Sequence, residues 1–179
     1  LLALTYLEEF GIEAEAAARL EPIYASFVNG AWNGERRRFR NFMGFDRRWL
    51  DDAGSEDAQG RTLHALARAR RFGTTPGRRA WADWLFFEAL PMTAEFQSPR
   101  AVAHAINALV EINDAAPGRA DIRRRLSELA GWLRSLLHMN ASPDWYWFEE
   151  TLAYENALLP AALIAAGLAL DEPAMRDDG

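Results

Sequence analysis

Two stretches of the chain combine carboxylates with groups able to hold a polar ligand. In the first, Asp57, Arg61, His64 and Arg68 recur at i, i+4, i+7 and i+11, a spacing that puts all four on one face of a helix, opposite Leu66. Glu56 and Asp57 follow Ser55, where the positive end of a helix dipole favours ionised carboxylates. Either acid there would serve better as a base than as a proton donor. One helix step turns them about 100 degrees apart, so both cannot point into one site. The polar face has two readings: a solvated surface with an ordinary Asp57–Arg61 helix pair, or the lining of a cavity suited to a hydroxyl-rich ligand.

The second stretch runs from Asp144 to Asn156 and sets Asp144, Glu149 and Glu150 beside Trp145, Tyr146, Trp147, Phe148 and Tyr154. Aromatic faces stack on the apolar faces of sugar rings, and carboxylates accept hydrogen bonds from vicinal hydroxyls. The alternative use of these rings is packing, as a plug for the end of a helical layer. A shorter stripe, His104, Asn107 and Glu111, is compatible with either buried partners or a ligand. Glycoside hydrolysis needs two carboxyl groups facing across the bond, about 5 to 5.5 Å apart for retention and roughly 6.5 to 9.5 Å for inversion. With neighbouring helices about 8 to 10 Å apart, helices starting near 56 and 157 and separated by one at 98 would stand roughly 16 to 18 Å apart in a six-membered ring. Inward-reaching side chains of Asp57 and Glu149 could bridge that to the inverting distance, not the retaining one.

Composition narrows the chemistry. Cysteine is absent, which removes disulfides, thiolate metal sites and a cysteine nucleophile. The three histidines, His64, His104 and His138, lack metal-ligand spacing, so a histidine-rich metal centre is not expected, while a carboxylate-held cation stays open; no cofactor is expected. The basic residues are all arginine, leaving no lysine for a Schiff base or a phosphate loop. A net charge of −6 argues against a nucleic-acid partner, and the run Glu35-Arg36-Arg37-Arg38 reads as a solvated loop. No apolar run approaches the roughly 20 residues of a bilayer crossing. No signal-peptide pattern is seen where the chain opens, inside an expected helix, so the compartment stays open with the cytoplasm favoured.

These residues have to be positioned by helices. Periodicity and punctuation predict helices over 1 to 9, 12 to 29, 56 to 72, 76 to 90, 98 to 114, 118 to 138 and about 157 to 170, with another opening at Pro173. Hydroxyl-proline pairs at Thr75-Pro76, Ser98-Pro99 and Ser142-Pro143 mark new segments, with the hydroxyl as cap. Helix 118 to 138 carries one apolar stripe, Ile122, Leu126, Leu129, Leu133, Leu136 and Leu137, and should have a wet face. Helix 98 to 114 and the stretch Leu158 to Leu170 are apolar nearly all round and should be enclosed. Alternation of the two kinds predicts stacked antiparallel hairpins. Between them, residues 30 to 55 are long for a loop, and Asn33-Gly34 could turn two short strands.

Three strings carry a resemblance: Asn41 to Trp49, Gly54 to Arg61, and Trp147-Phe148-Glu149-Glu150 through Tyr154-Glu155-Asn156-Ala157 with Pro160. Together, in this order, they resemble a bacterial family of α/α-toroid proteins related to the six-hairpin glycosidases, often labelled glycosyltransferase-associated or putative mannosyltransferases. Family members usually show serine and histidine at the positions of Ala58 and Gln59, and aspartate at those of Glu150 and Glu155. The resemblance implies an all-α fold of antiparallel helical hairpins, with residues 1 to 179 forming part of an (α/α)6 toroid truncated at both ends. It also implies a carbohydrate partner. Glu149 or Glu150 would then be the proton donor and Asp57 or Asp46 the base or sugar anchor. Arg61, His64, Asp144, Trp147, Tyr154 and Asn156 would bind and orient the ring. The rival expectation is a helical scaffold or partner-binding module without catalysis.

Overall fold

A computed structural model describes all 179 residues. The chain is mostly helical: α1 (Leu2–Glu9), α2 (Ala14–Ala31), α3 (Glu56–Phe72), α4 (Pro76–Ala89), α5 (Pro99–Ala115), α6 (Ala120–Asn140), α7 (Leu158–Leu170) and α8 (Pro173–Asp178). Their bounds follow the expected segments to within about two residues, the usual uncertainty of a helix end. Two compact units divide the chain, Leu1–Phe96 and Gln97–Gly179. No helix is long and apolar enough to cross a membrane.

In the first unit α3 packs on α4 and on α1, and α1 on α2. Ser55 and Thr75 cap α3 and α4 as expected, each side-chain oxygen accepting from a backbone N–H three residues on, Ala58 and Arg78. Leu63, Leu66, Leu85 and Phe86 are fully buried and form the centre of this unit's core. The two strands expected around Asn33-Gly34 exist as an antiparallel pair, β1 (Trp32–Asn33) and β2 (Arg38–Phe39), with Trp32 opposite Phe39 and Asn33 opposite Arg38. Their loop is longer than a two-residue Asn-Gly turn. It spans residues 34 to 37, the positive φ falls at Arg37, and the Asn33 side chain accepts from Arg36 N at 3.3 Å. The basic run is thus a hairpin loop, with Glu35, Arg36 and Arg37 exposed. Arg38 pairs with Glu95 at 2.6 Å.

In the second unit α5 packs against α6 and α7, and α7 against α8. Residues 100 to 106 of α5 are buried without interruption, as expected for an enclosed helix. Ile122, Leu126, Leu129, Leu133 and Leu137 of α6 turn one stripe inward, while Arg123, Arg124 and Glu128 lie exposed. Enclosure on all sides is not found for α7. Leu159, Leu163 and Leu170 are buried, yet Leu168 is 63% exposed. Pro160 falls in the first turn of this helix, where its missing N–H costs no helix bond. The third hydroxyl-proline pair starts no helix. Ser142 bonds Trp145 through both backbone groups and closes a turn, and bulky rings follow instead of good helix formers.

Candidate functional site

The residues singled out for chemistry fall into both units. Asp46, Asp57, Arg61 and His64 belong to the first, and Asp144, Trp147, Glu149, Glu150, Tyr154 and Asn156 to the second.

In the first unit the polar face of α3 is divided by burial. Arg61 is exposed and Asp57 half-buried, whereas His64 and Arg68 are buried at 6% and 3% exposure. Arg68 reaches under α1, where its Nη2 donates to Glu9 and its Nε to Thr5 Oγ1, and its guanidinium lies 3.7 Å from the centre of the Tyr6 ring. The C-terminal half of this face is therefore neither solvated nor open to a cavity: it is a helix–helix contact built on a buried cation. Arg61, at the other end, lines a pocket with Phe27, Phe39, Arg40, Asn41 and Thr62. Asp46 sits in an exposed turn, accepting from Arg48 N at 3.2 Å and pairing with the Arg48 side chain at 3.5 Å. Gln59, passed over in the sequence except as a position where the resembled family shows histidine, is buried and holds both backbone groups of Phe39.

In the second unit the acidic-aromatic segment is organised by Arg100. This residue stands in the first turn of α5 and is 4% exposed. Its Nε donates to Tyr154 O at 2.6 Å, its Nη1 to Glu149 Oε1 at 2.8 Å and its Nη2 to Asn156 Oδ1 at 3.4 Å. The guanidinium also lies 4.6 Å from the centre of the Tyr154 ring. Three of the residues singled out, Glu149, Tyr154 and Asn156, are thus brought together by one planar fork. Asn156 fixes its own loop, accepting from Ala153 N and donating to Ala153 O. Trp145 Nε1 donates to Glu149 O at 2.7 Å, and Asn140 Nδ2 to Phe148 O at 2.7 Å, so the segment is braced from both sides. His104, one helical turn beyond Arg100, places Nε2 3.4 Å from Glu155 Oε2.

Two polar atoms in this segment are buried and make no hydrogen bond: Glu149 Oε2 and Trp147 Nε1. Beside them Trp145, Tyr146 and Tyr154 present exposed rings, and Asp144 and Glu150 are exposed acids. The Tyr146 hydroxyl is held above its ordinary pKa by desolvation and by the neighbouring Asp178 carboxylate, 3.4 Å away. No group of acidic and histidine side chains capable of holding a metal ion occurs. Arg100 did leave a signal in the sequence: it is the one cation of α5 and stands in the first turn, directly before the apolar Ala101, Val102 and Ala103, where a charge has to meet a partner.

No protein-family model, no curated protein and no solved structure matches the chain.

Proposed function

We propose that this is a carbohydrate-active protein that meets its saccharide through residues 142 to 156, as the sugar-recognising part of a glycan-assembly or glycoside hydrolase-like protein. One grouping supports this reading: an acceptor, Glu149 Oε2, and a donor, Trp147 Nε1, both buried without partners beside the exposed rings of Trp145, Tyr146 and Tyr154. Buried polar groups without partners are uncommon, and an alternation of sugar hydroxyls would satisfy both kinds while the ring faces stack. Glu149 already accepts from Arg100, which suits a carboxylate that takes hydrogen bonds from hydroxyls. If the protein is a hydrolase, the exposed Glu150 is the proton donor within this segment, since Glu149 is held by Arg100. The helices are then consecutive hairpins of an (α/α)6 toroid, a plan to which the alternation of enclosed α5 and one-faced α6 is suited.

The test is a glycan array on the whole chain, followed by titration of the best saccharide against tryptophan fluorescence. Trp145→Ala and Glu149→Gln are each expected to weaken binding tenfold or more. Undiminished binding in both variants, or no saccharide response from the native chain, would sink the reading. A second reading, a non-catalytic scaffold, is favoured by one observation: Arg100 and Asn156 spend their hydrogen bonds inside the protein. It predicts silence on the same array.

A further inference from the structure

A pocket of about 220 Å³ in the first unit is lined by Phe27 of α2, Phe39 of β2, Arg40 and Asn41 just after it, and Arg61 and Thr62 of α3. Its walls are held from several directions. Gln59 clamps Phe39 to α3, Arg40 N donates to Ala31 O at the end of α2, and Asn41 N donates to Asp51 Oδ2 at 2.8 Å. Arg40 and Asn41 are therefore carried to the side of α3 where Arg61 and Thr62 stand.

Charge sets the kind of ligand. The Arg40 guanidinium is partly buried and makes one long hydrogen bond, to Trp32 O at 3.4 Å, with no carboxylate in ion-pair range. In a chain of net charge −6, a half-buried arginine without an acidic partner is unusual, because a charge removed from water is normally paired. Arg61 brings a second guanidinium to the same lining, the Asn41 amide makes no hydrogen bond of its own, and the Thr62 hydroxyl, which donates to Ala58 O, retains acceptor capacity. Asp51 is committed to the backbone N–H groups of Asn41 and Phe42. Two guanidiniums match an oxyanion in charge and fork geometry. The volume lies below the roughly 300 Å³ at which drug-sized ligand pockets begin, so the ligand is small.

We propose that this pocket binds a phosphate or carboxylate group borne on a compact polar molecule, with Arg40 and Arg61 holding the oxyanion and Phe27 and Phe39 bounding the rest. The site lies in the other unit from the saccharide segment and does not rest on that reading. Asp57 precedes Arg61 by one helical turn and is the charge an anion has to tolerate, so Asp57→Asn should strengthen binding.

Inorganic phosphate and acetate, titrated separately into the whole chain, distinguish the two sources of the anion. Isotope-labelled NMR of the arginine Nε groups should show Arg40 and Arg61 moving at millimolar phosphate or acetate while exposed Arg47 and Arg124 stay still. Calorimetry should show Arg40→Gln weakening the preferred anion tenfold or more, and added sodium chloride competing with it. A response to one anion alone assigns the group. If neither anion moves the two resonances, or if Arg40→Gln binds as the native chain does, there is no such site. Should Arg40→Gln fail to fold, the native arginine resonances decide alone.

Discussion

Phe39, at the end of β2 and almost fully buried, has both its backbone N–H and its C=O bonded to a single side chain. Gln59 Oε1 accepts from Phe39 N at 2.8 Å and Gln59 Nε2 donates to Phe39 O at 2.7 Å, the pairing a neighbouring strand would make. A third bond runs from Nε2 to Gly54 O at 3.2 Å. Gly54 has to be glycine, since a Cβ there would come within 2.6 Å of Asn41 Cβ. Truncating Gln59 leaves the buried Phe39 N–H unsatisfied, whereas Phe39 O keeps the bond from Gly54 N at 2.8 Å, so Gln59→Ala should lower the unfolding free energy by about 1 to 3 kcal/mol in urea denaturation. An unchanged midpoint would mean that water replaces the amide. Neither Gln59 nor Arg100 could be recognised as an organiser from spacing along one helix, because each reaches residues 20 to 56 positions away. Asp57, Arg61, Glu149 and Asn156 were legible because acids, cations and amides are chemically conspicuous. Whether such a residue meets a ligand or another side chain depends on contacts that its own segment does not encode.

Helices were the most legible level, and the reasons are local. Ser55, Thr75 and Ser98 each accept a backbone N–H of the first helical turn, and proline follows two of them, so the start signals coincide with the observed starts. Ser142-Pro143 carries the same signal without a helix, because the backbone after it is held by side chains outside the segment, Asn140 on Phe148 O and Arg100 on Tyr154 O. Periodicity failed in one specific way at α7. A helix apolar all round offers no stripe to say which side is covered, so enclosure and one-sided packing look alike in the sequence. The structure separates them: Leu163 is fully buried and Leu168, five residues on, is mostly exposed. Leu163→Ala should cost about 2 to 5 kcal/mol through lost burial and the cavity left behind. Leu168→Gln should change stability by no more than about 0.5 kcal/mol, as a substitution away from any packed contact. Equal losses from the two, measured by denaturant unfolding, would show that the exposed side of α7 is covered in solution.

At the scale of the whole molecule, acids outnumber arginines, and stability in acid depends on which carboxylates are bound to cations. Asp178, in the C-terminal helix α8, illustrates the balance. Desolvation pushes its pKa up, but hydrogen bonds from Arg134 and His138 of α6 and their charges outweigh that, and the carboxyl is held below its ordinary value. The same carboxylate reaches the Tyr146 hydroxyl through its other oxygen, so one side chain ties α8 to α6 and to the aromatic segment. α8 can lie close on α7 because residue 167 is glycine, where a Cβ would meet Arg176 N at 2.8 Å. A carboxyl whose folded pKa is depressed stabilises the fold fully above its unfolded value, about 3.9, and loses that contribution as pH falls through the lower folded value. The unfolding free energy should therefore decline on acidification from about pH 5 downward, with α8 released early. Asp178→Asn should unfold more easily than the native chain at neutral pH and should lose less on acidification, so that the two curves approach each other in acid. Hydrogen exchange of α8 and of residues 142 to 148, followed across this range, locates the effect. Parallel curves for the two proteins would mean that Asp178 holds nothing in place, and that α8 is kept by its contact with α7 alone.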